Sequence, residues 1–217
     1  MFYHFHPYAP YFPKNATKAI VGTLPPPRFT TGDLKPDDVN FCYGSRDGQL
    51  WPILDKLFAL DLKYENTAHA IAQRKTFLDT RGIAICDIVQ AAYREKVDAS
   101  DLGMSDIELR DVLGILEEYP KINTLLFTGG NSKNGPEYFF RKYLATHALK
   151  LEVVQSQVPR IHRFSYKGRN FTTVSLTAPS GAANRAVGSL DSYKQLKAQN
   201  PAFNTIDFRA MQYKPFF

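Results

Sequence analysis

Short apolar runs that stop abruptly at Gly, Pro or Ser recur along the chain, separated by longer stretches with helical periodicity. The first run, residues 18–23 (KAIVGT), is followed by Leu24 and the triple proline Pro25-Pro26-Pro27. This predicts a buried strand whose C-terminal end opens into a fixed, extended loop. Residues 83–88 (IAICDI) are nearly continuous and apolar, as strands of a parallel sheet covered on both faces are. Asp87 interrupts them, either as a satisfied structural group or as a pocket residue. Residues 124–128 (TLLFT) end in Gly129-Gly130-Asn131-Ser132, and residues 171–176 run into the small-residue loop from Thr177 to Arg185. Residues 151–154 and 163–166 are shorter strand candidates, with a hairpin turn at 167–170.

Between these runs the apolar spacing becomes helical. From about Asp47 onward, Leu50, Trp51, Ile53, Leu54, Leu57 and Phe58 form a stripe that buries one helix face. Residues 66–79 predict a second helix closed by Gly82. Ser105 with Glu108 three positions later has the form of a capping box, predicting a helix that runs to about Tyr119, where Pro120 stops it. Further helices are predicted over 136–148 and 189–199. The first sixteen residues, rich in aromatics and prolines, read as an extended arm packed on the body. Residues 29–40 read as a polar surface excursion, and 94–104 as a charged connector. Strands alternating with helices imply a three-layer α/β/α sandwich around a central, mainly parallel four-stranded sheet, one domain over 1–217.

Composition fits that architecture: 217 residues, 44% of them hydrophobic and 13% aromatic, suffice for one core. The excess of 27 Lys and Arg over 21 Asp and Glu, a net +6, suits either a polyanionic partner or an ordinary basic soluble protein. Cys42 and Cys86 sit in apolar surroundings, as reduced thiols in a reducing cytoplasm would. No two His or Cys lie at zinc-site spacing except His4 and His6 in the N-terminal arm, so no metal and no cofactor are expected. The N-terminus has neither the basic start nor the apolar centre of a signal peptide, and no segment has the ~20 apolar residues of a membrane span.

Three small-residue loops, beginning at Gly22, Thr128 and Thr177, would converge on one edge of such a sheet, where open α/β sheets bind ligands. The same loops are also compatible with tight turns chosen only for connection geometry. No GxGxxG and no Walker lysine is present, which disfavours a dinucleotide or ATP cradle, and no GxSxG elbow marks a hydrolase.

Five blocks carry a resemblance: HPYAPYFPKNATKAIVGTLPPPRF, FCYGSRDGQLWPIL, GIAICDIVQAAYREKVDASD followed by SDIEL, INTLLFTGGNS and SLTAPSGAANRAV. In this order they resemble the uracil-DNA glycosylase superfamily, in particular its mismatch-specific and deoxyinosine-type branch. The resemblance covers residues 4–190. It implies extrusion of a deaminated base from DNA into a pocket and metal-free hydrolysis of the bond between base and sugar through an oxocarbenium-like transition state.

Carried onto this chain, the resemblance places the base pocket at Gly22, Thr23, Leu24, Pro25, Tyr43, Gly44, Ser45, Thr128 and Asn131. Thr23 and Leu24 stand where relatives often hold a water-orienting Asp or Asn. The segment Arg46-Asp47-Gly48-Gln49 matches the place where the deoxyinosine-type branch draws on an Asn, which makes Asp47 the catalytic candidate, with a helix cap as its other role. Tyr43 would fence the base or belong to the core. Thr128 occupies the position of a base-reading Asn, with Asn131 as a substitute or a helix cap. The loop containing Ser180, Gly181, Asn184 and Arg185 matches the motif that presses into the duplex, and Arg28, Arg46, Lys133 and Arg185 would form a positive rim for its backbone. The resemblance implies a monomeric DNA-repair hydrolase acting on damaged DNA. A catalytically idle relative that binds nucleic acid or a nucleotide is the alternative.

Overall fold

The computed structural model describes residues 1–98 and 100–217. In chain order the elements are β1 (Phe2–Phe5), β2 (Lys18–Val21), α1 (Pro27–Thr31), α2 (Leu50–Phe58), α3 (Ala68–Arg81), β3 (Ile83–Ile85), β4 (Val89–Arg94), β5 (Met104–Leu109), α4 (Val112–Glu118), β6 (Thr124–Phe127), α5 (Pro136–Thr146), β7 (Glu152–Gln155), β8 (Arg160–Tyr166), β9 (Arg169–Ser175), α6 (Asn184–Ser189), α7 (Asp191–Gln199) and α8 (Thr205–Tyr213).

The main sheet has the order β3-β2-β6-β9-β8-β7. Its first four strands are mutually parallel, and β8 and β7 continue it as an antiparallel hairpin. The expected parallel set of four is therefore present, but the sheet has six strands, because the two short β candidates pair onto its edge. Side chains alternate across it as strand geometry requires. Ala19, Val21, Leu125 and Phe127 pack with α4 and α5 on one face. Ile20 and Leu126 pack with α2, α3 and α8 on the other. This is an α/β/α sandwich, and each fully buried Phe or Leu in it contributes about 1.5–3 kcal/mol through apolar area removed from water.

The second sheet, β1-β4-β5, departs from expectation. The N-terminal segment is a strand, paired antiparallel with β4 from Phe2↔Arg94 to Phe5↔Ala91. His4 is wholly buried there, and its Nδ1 accepts from Arg94 Nε at 2.7 Å. Burial, aided by Arg94, pushes the His4 pKa down to about 4, which suits this neutral acceptor role. The run 83–88 leaves the main sheet at Cys86, so Asp87 sits in the turn between β3 and β4. The connector expected over 94–104 includes Ala99, which lies outside the described residues.

The helix expected from Ser105 begins later. Residues 104–109 pair with β4 instead, across two register shifts, and Glu108 accepts from the Tyr3 hydroxyl. The helix starts after Asp111, whose side chain accepts from Gly114 N at 3.0 Å and from the Tyr143 hydroxyl. Strand pairing outweighs a local capping signature because β4 otherwise lacks a partner on that side. Residues 29–40 also differ from a loose excursion. They contain the end of α1 and the fully buried Asp38, which accepts two bonds from Arg28 (2.7 and 2.8 Å) and one each from the Arg46 and Lys35 amides (both 2.8 Å). Burial opposes its charge, yet these hydrogen bonds bring its pKa down to about 2.

The displaced helix start makes a direct test. Asp111→Ala is expected to cost about 1 kcal/mol or more in urea unfolding, the usual loss for an N-cap, whereas Ser105→Ala is expected to stay within about 0.5 kcal/mol of the parent. The reverse ranking would contradict the observed start of α4.

Candidate functional site

A cavity of about 380 Å³ opens at the C-terminal ends of β2, β6 and β9. It is lined by the loop after β2 (Thr23, Leu24, Pro25), by Tyr43, Gly44, Ser45 and Asp47, by Thr128, and by Ser180 and Gly181. The three small-residue loops thus meet where their strands end. The loop after β9 is fixed to the segment before α2 by a Gly48↔Ser180 bridge and by Gln49 N donating to Pro179 O at 2.9 Å. Arg209 of α8, fully buried, locks this junction by donating to Ala178 O and Gln49 Oε1 (both 2.9 Å) and to Asn184 Oδ1 (2.8 Å).

Asp87 ties the cavity floor together. Its Oδ1 accepts from Gly22 N at 2.6 Å and from the Tyr43 hydroxyl at 2.5 Å, and its Oδ2 lies 2.9 Å from His6 Nε2. A glycine is required at position 22, since a Cβ there would lie 2.9 Å from both Asp87 Oδ1 and Thr128 Oγ1 and closer still to the Tyr43 hydroxyl. Tyr43 itself holds φ 58°, a left-handed conformation that a bulky residue keeps only where the surroundings over-determine it. Burial, reinforced by Asp87, raises the Tyr43 pKa well above the usual tyrosine value. Its hydroxyl is a donor, with Thr128 Oγ1 3.5 Å away.

Asp101, half-buried, is a second carboxylate of the cavity. It begins the 3₁₀ turn Asp101–Gly103, and its Oδ1 accepts from Thr23 Oγ1 at 3.0 Å. Burial raises its pKa to about 6; Thr23 and Arg94 oppose that rise, and the charge of Asp87 adds to it.

The residues singled out in the sequence separate into three groups. Thr23, Leu24, Pro25, Tyr43, Gly44, Ser45, Asp47, Thr128, Ser180 and Gly181 line the cavity, and Gly22 lies beneath it. Arg46, Lys133 and Arg185 are exposed and make no ion pair among the described residues. Three others differ from expectation. Arg28 is occupied by Asp38, Ser45 Oγ (2.8 Å) and Asp47 (3.4 Å), so its guanidinium braces the loop. Asn184 Oδ1 accepts from Arg209 and Thr205. Asn131 is exposed and outside the cavity lining, whereas the nearby Asn134 is buried and donates to Asp101 O at 2.9 Å. Asp47 does not cap α2, whose N-cap is Gln49; its side chain is 69% exposed at the cavity mouth.

His6, Asp101 and Arg209 were not singled out as site residues. Each reaches the site from far along the chain: His6 from the aromatic N-terminal segment, Asp101 from a charged connector and Arg209 from a helix with no strand after it. The interruption of an apolar run by Asp87 was the one local signal of this network. Among the described residues, no three His, Cys, Asp or Glu side chains are grouped to hold a metal ion, and both cysteines are buried with free thiols. No helix among them is long and apolar enough to cross a membrane. In comparisons with protein-family models, curated proteins and solved structures, nothing matches this chain.

The raised Asp101 pKa has a thermodynamic consequence. With a folded value near 6 above an ordinary 3.8, stability from its protonated form is complete below about pH 3.8 and is lost as pH rises through 6. Asp101→Asn is therefore expected to raise the thermal midpoint more at pH 7.5 than at pH 4.5. An equal change at both values would show that Asp101 is not destabilised by ionisation.

Proposed function

We propose that the protein is a DNA glycosylase that hydrolyses the N-glycosidic bond of a deaminated base, uracil or hypoxanthine, after the base is flipped out of the strand. The observation that carries this reading is the cavity at the C-terminal ends of the parallel strands, which has an aromatic wall, the buried carboxylate of Asp87 and the half-buried carboxylate of Asp101. Residues of all five resembling blocks line it together.

Its chemistry suits the reaction. A flipped base needs an apolar slot with few fixed polar groups, and Leu24, Pro25, Pro26 and Tyr43 alternate there with Thr23, Thr128 and Ser180. As the bond between sugar and base lengthens, positive charge develops on the sugar, and carboxylates in a water-poor site oppose it without reorganising. Exposed Arg46 and Lys133 on loops and Arg185 in the first turn of α6 supply cations for phosphates. The small-residue loop after β9, held by Arg209, is the segment that would press on the strand.

The test is single-turnover excision on oligonucleotides carrying uracil, hypoxanthine or xanthine, single- and double-stranded, read as alkali-labile abasic product. Product from at least one of these bases is expected. Binding without product on every base would leave the idle nucleic-acid-binding alternative in place of the enzyme.

A further inference from the structure

Three carboxylates line the cavity, and they differ in how their oxygens are used. Asp87 has both engaged, Oδ1 by Gly22 N–H and the Tyr43 hydroxyl and Oδ2 by His6. Asp47 stands at the mouth, largely in water and turned toward Arg28. Asp101 is engaged on one side only: Oδ1 accepts from Thr23, and among the described residues Oδ2 accepts nothing.

The backbone that presents Asp101 is held from two directions. Its carbonyl accepts from buried Asn134, and the preceding carbonyl of Ser100 accepts from Arg94 Nη1 at 2.5 Å. Arg94 is itself fully buried and braced by His4. Thr23, one residue beyond the Gly22 amide that Asp87 binds, anchors one oxygen of the carboxylate. A half-satisfied carboxylate on a braced turn, at the floor of a cavity, is an arrangement that holds a water in one place.

We propose that Asp101 is the group that positions the attacking water and opposes the positive charge of the sugar. This rests on the glycosylase reading. The water oxygen bonds to C1′ as the bond from C1′ to the base nitrogen breaks, its electron pair leaving with the base. One water proton passes to the Asp101 carboxylate and then to solvent, and the departing base takes up a proton from solvent. The net change is addition of one water across the bond.

The groups that set the protonation of Asp101 are Asp87 from the turn between β3 and β4, Arg94 from β4 and Thr23 from the loop after β2; Arg94 in turn faces Asp98 at 4.0 Å and His4. Only the ionised form accepts the water proton. Because burial raises the Asp101 pKa to about 6, excision is expected to fall about tenfold between pH 7 and pH 5, whereas Asp101→Asn is expected to be slower by roughly 10²-fold or more and flat across that window.

The decisive experiment measures charge recognition separately from excision. Equilibrium binding at pH 7.5 compares a strand carrying a cationic pyrrolidine in place of the sugar with one carrying a neutral tetrahydrofuran, for the parent, Asp101→Asn and Asp47→Asn. The parent is expected to prefer the cation at least tenfold, Asp101→Asn to lose the preference while binding the neutral strand as before, and Asp47→Asn to keep it. No preference in the parent, an unchanged preference in Asp101→Asn, or its loss in Asp47→Asn would overturn the assignment. A preference that depends on Asp101, found together with no excision of any base, would instead overturn the glycosylase reading and leave the charge-opposing carboxylate standing.

Discussion

The carboxylate of Asp87 accepts hydrogen bonds from three partners that the chain delivers from separate places: the Gly22 amide at the end of β2, the Tyr43 hydroxyl from the segment before α2, and the His6 ring just beyond β1. Each oxygen sits in a floor nearly closed to solvent, where an unpaired acceptor or donor costs about 1–3 kcal/mol. The three contacts therefore stand or fall together. They also explain two local oddities, the glycine that leaves room for the Tyr43 hydroxyl and the left-handed backbone of Tyr43 itself. The cavity exists because this knot holds its floor while Arg209 and the Gly48↔Ser180 bridge hold its far wall.

The α/β/α layering was legible because its signals are periodic and local. The apolar runs at Ile20, Leu126 and Val174 and the helical stripe around Trp51 need nothing distant to declare themselves. What misled was local chemistry with a non-local competitor. Ser105 and Glu108 have the spacing of a cap, yet β4 needed an edge partner and took residues 104–109 as a strand. The aromatic N-terminus lacks an alternating polar face, so its pairing with β4 left no trace in pattern.

The site followed the same rule. The three loops could be placed at one edge from strand ends alone, and Tyr43 with them. The cavity carboxylates could not be ranked that way: Asp101 lies in a charged stretch with no periodicity, and only the fold brings it to Thr23. Arg28 differs from its expected place on the rim for a related reason, since the buried Asp38 that occupies it sits in a segment that reads as surface. Burial, which decides whether an arginine is a phosphate ligand or a brace, is a property of the assembled chain.

If the proposed glycosylase reading holds, the Asp87 knot shapes a slot for one extruded base, and the Asp101 oxygen that accepts nothing among the described residues is the one that would face the sugar. The most direct measurement is a crystal structure with a duplex carrying a 2′-fluorinated, cleavage-resistant deoxyinosine or deoxyuridine. The base is expected to be seated in the cavity against Tyr43, with a water between Asp101 and C1′. A nucleotide that remains stacked in the duplex, or one extruded outside the cavity with Asp101 facing only protein, would contradict that reading.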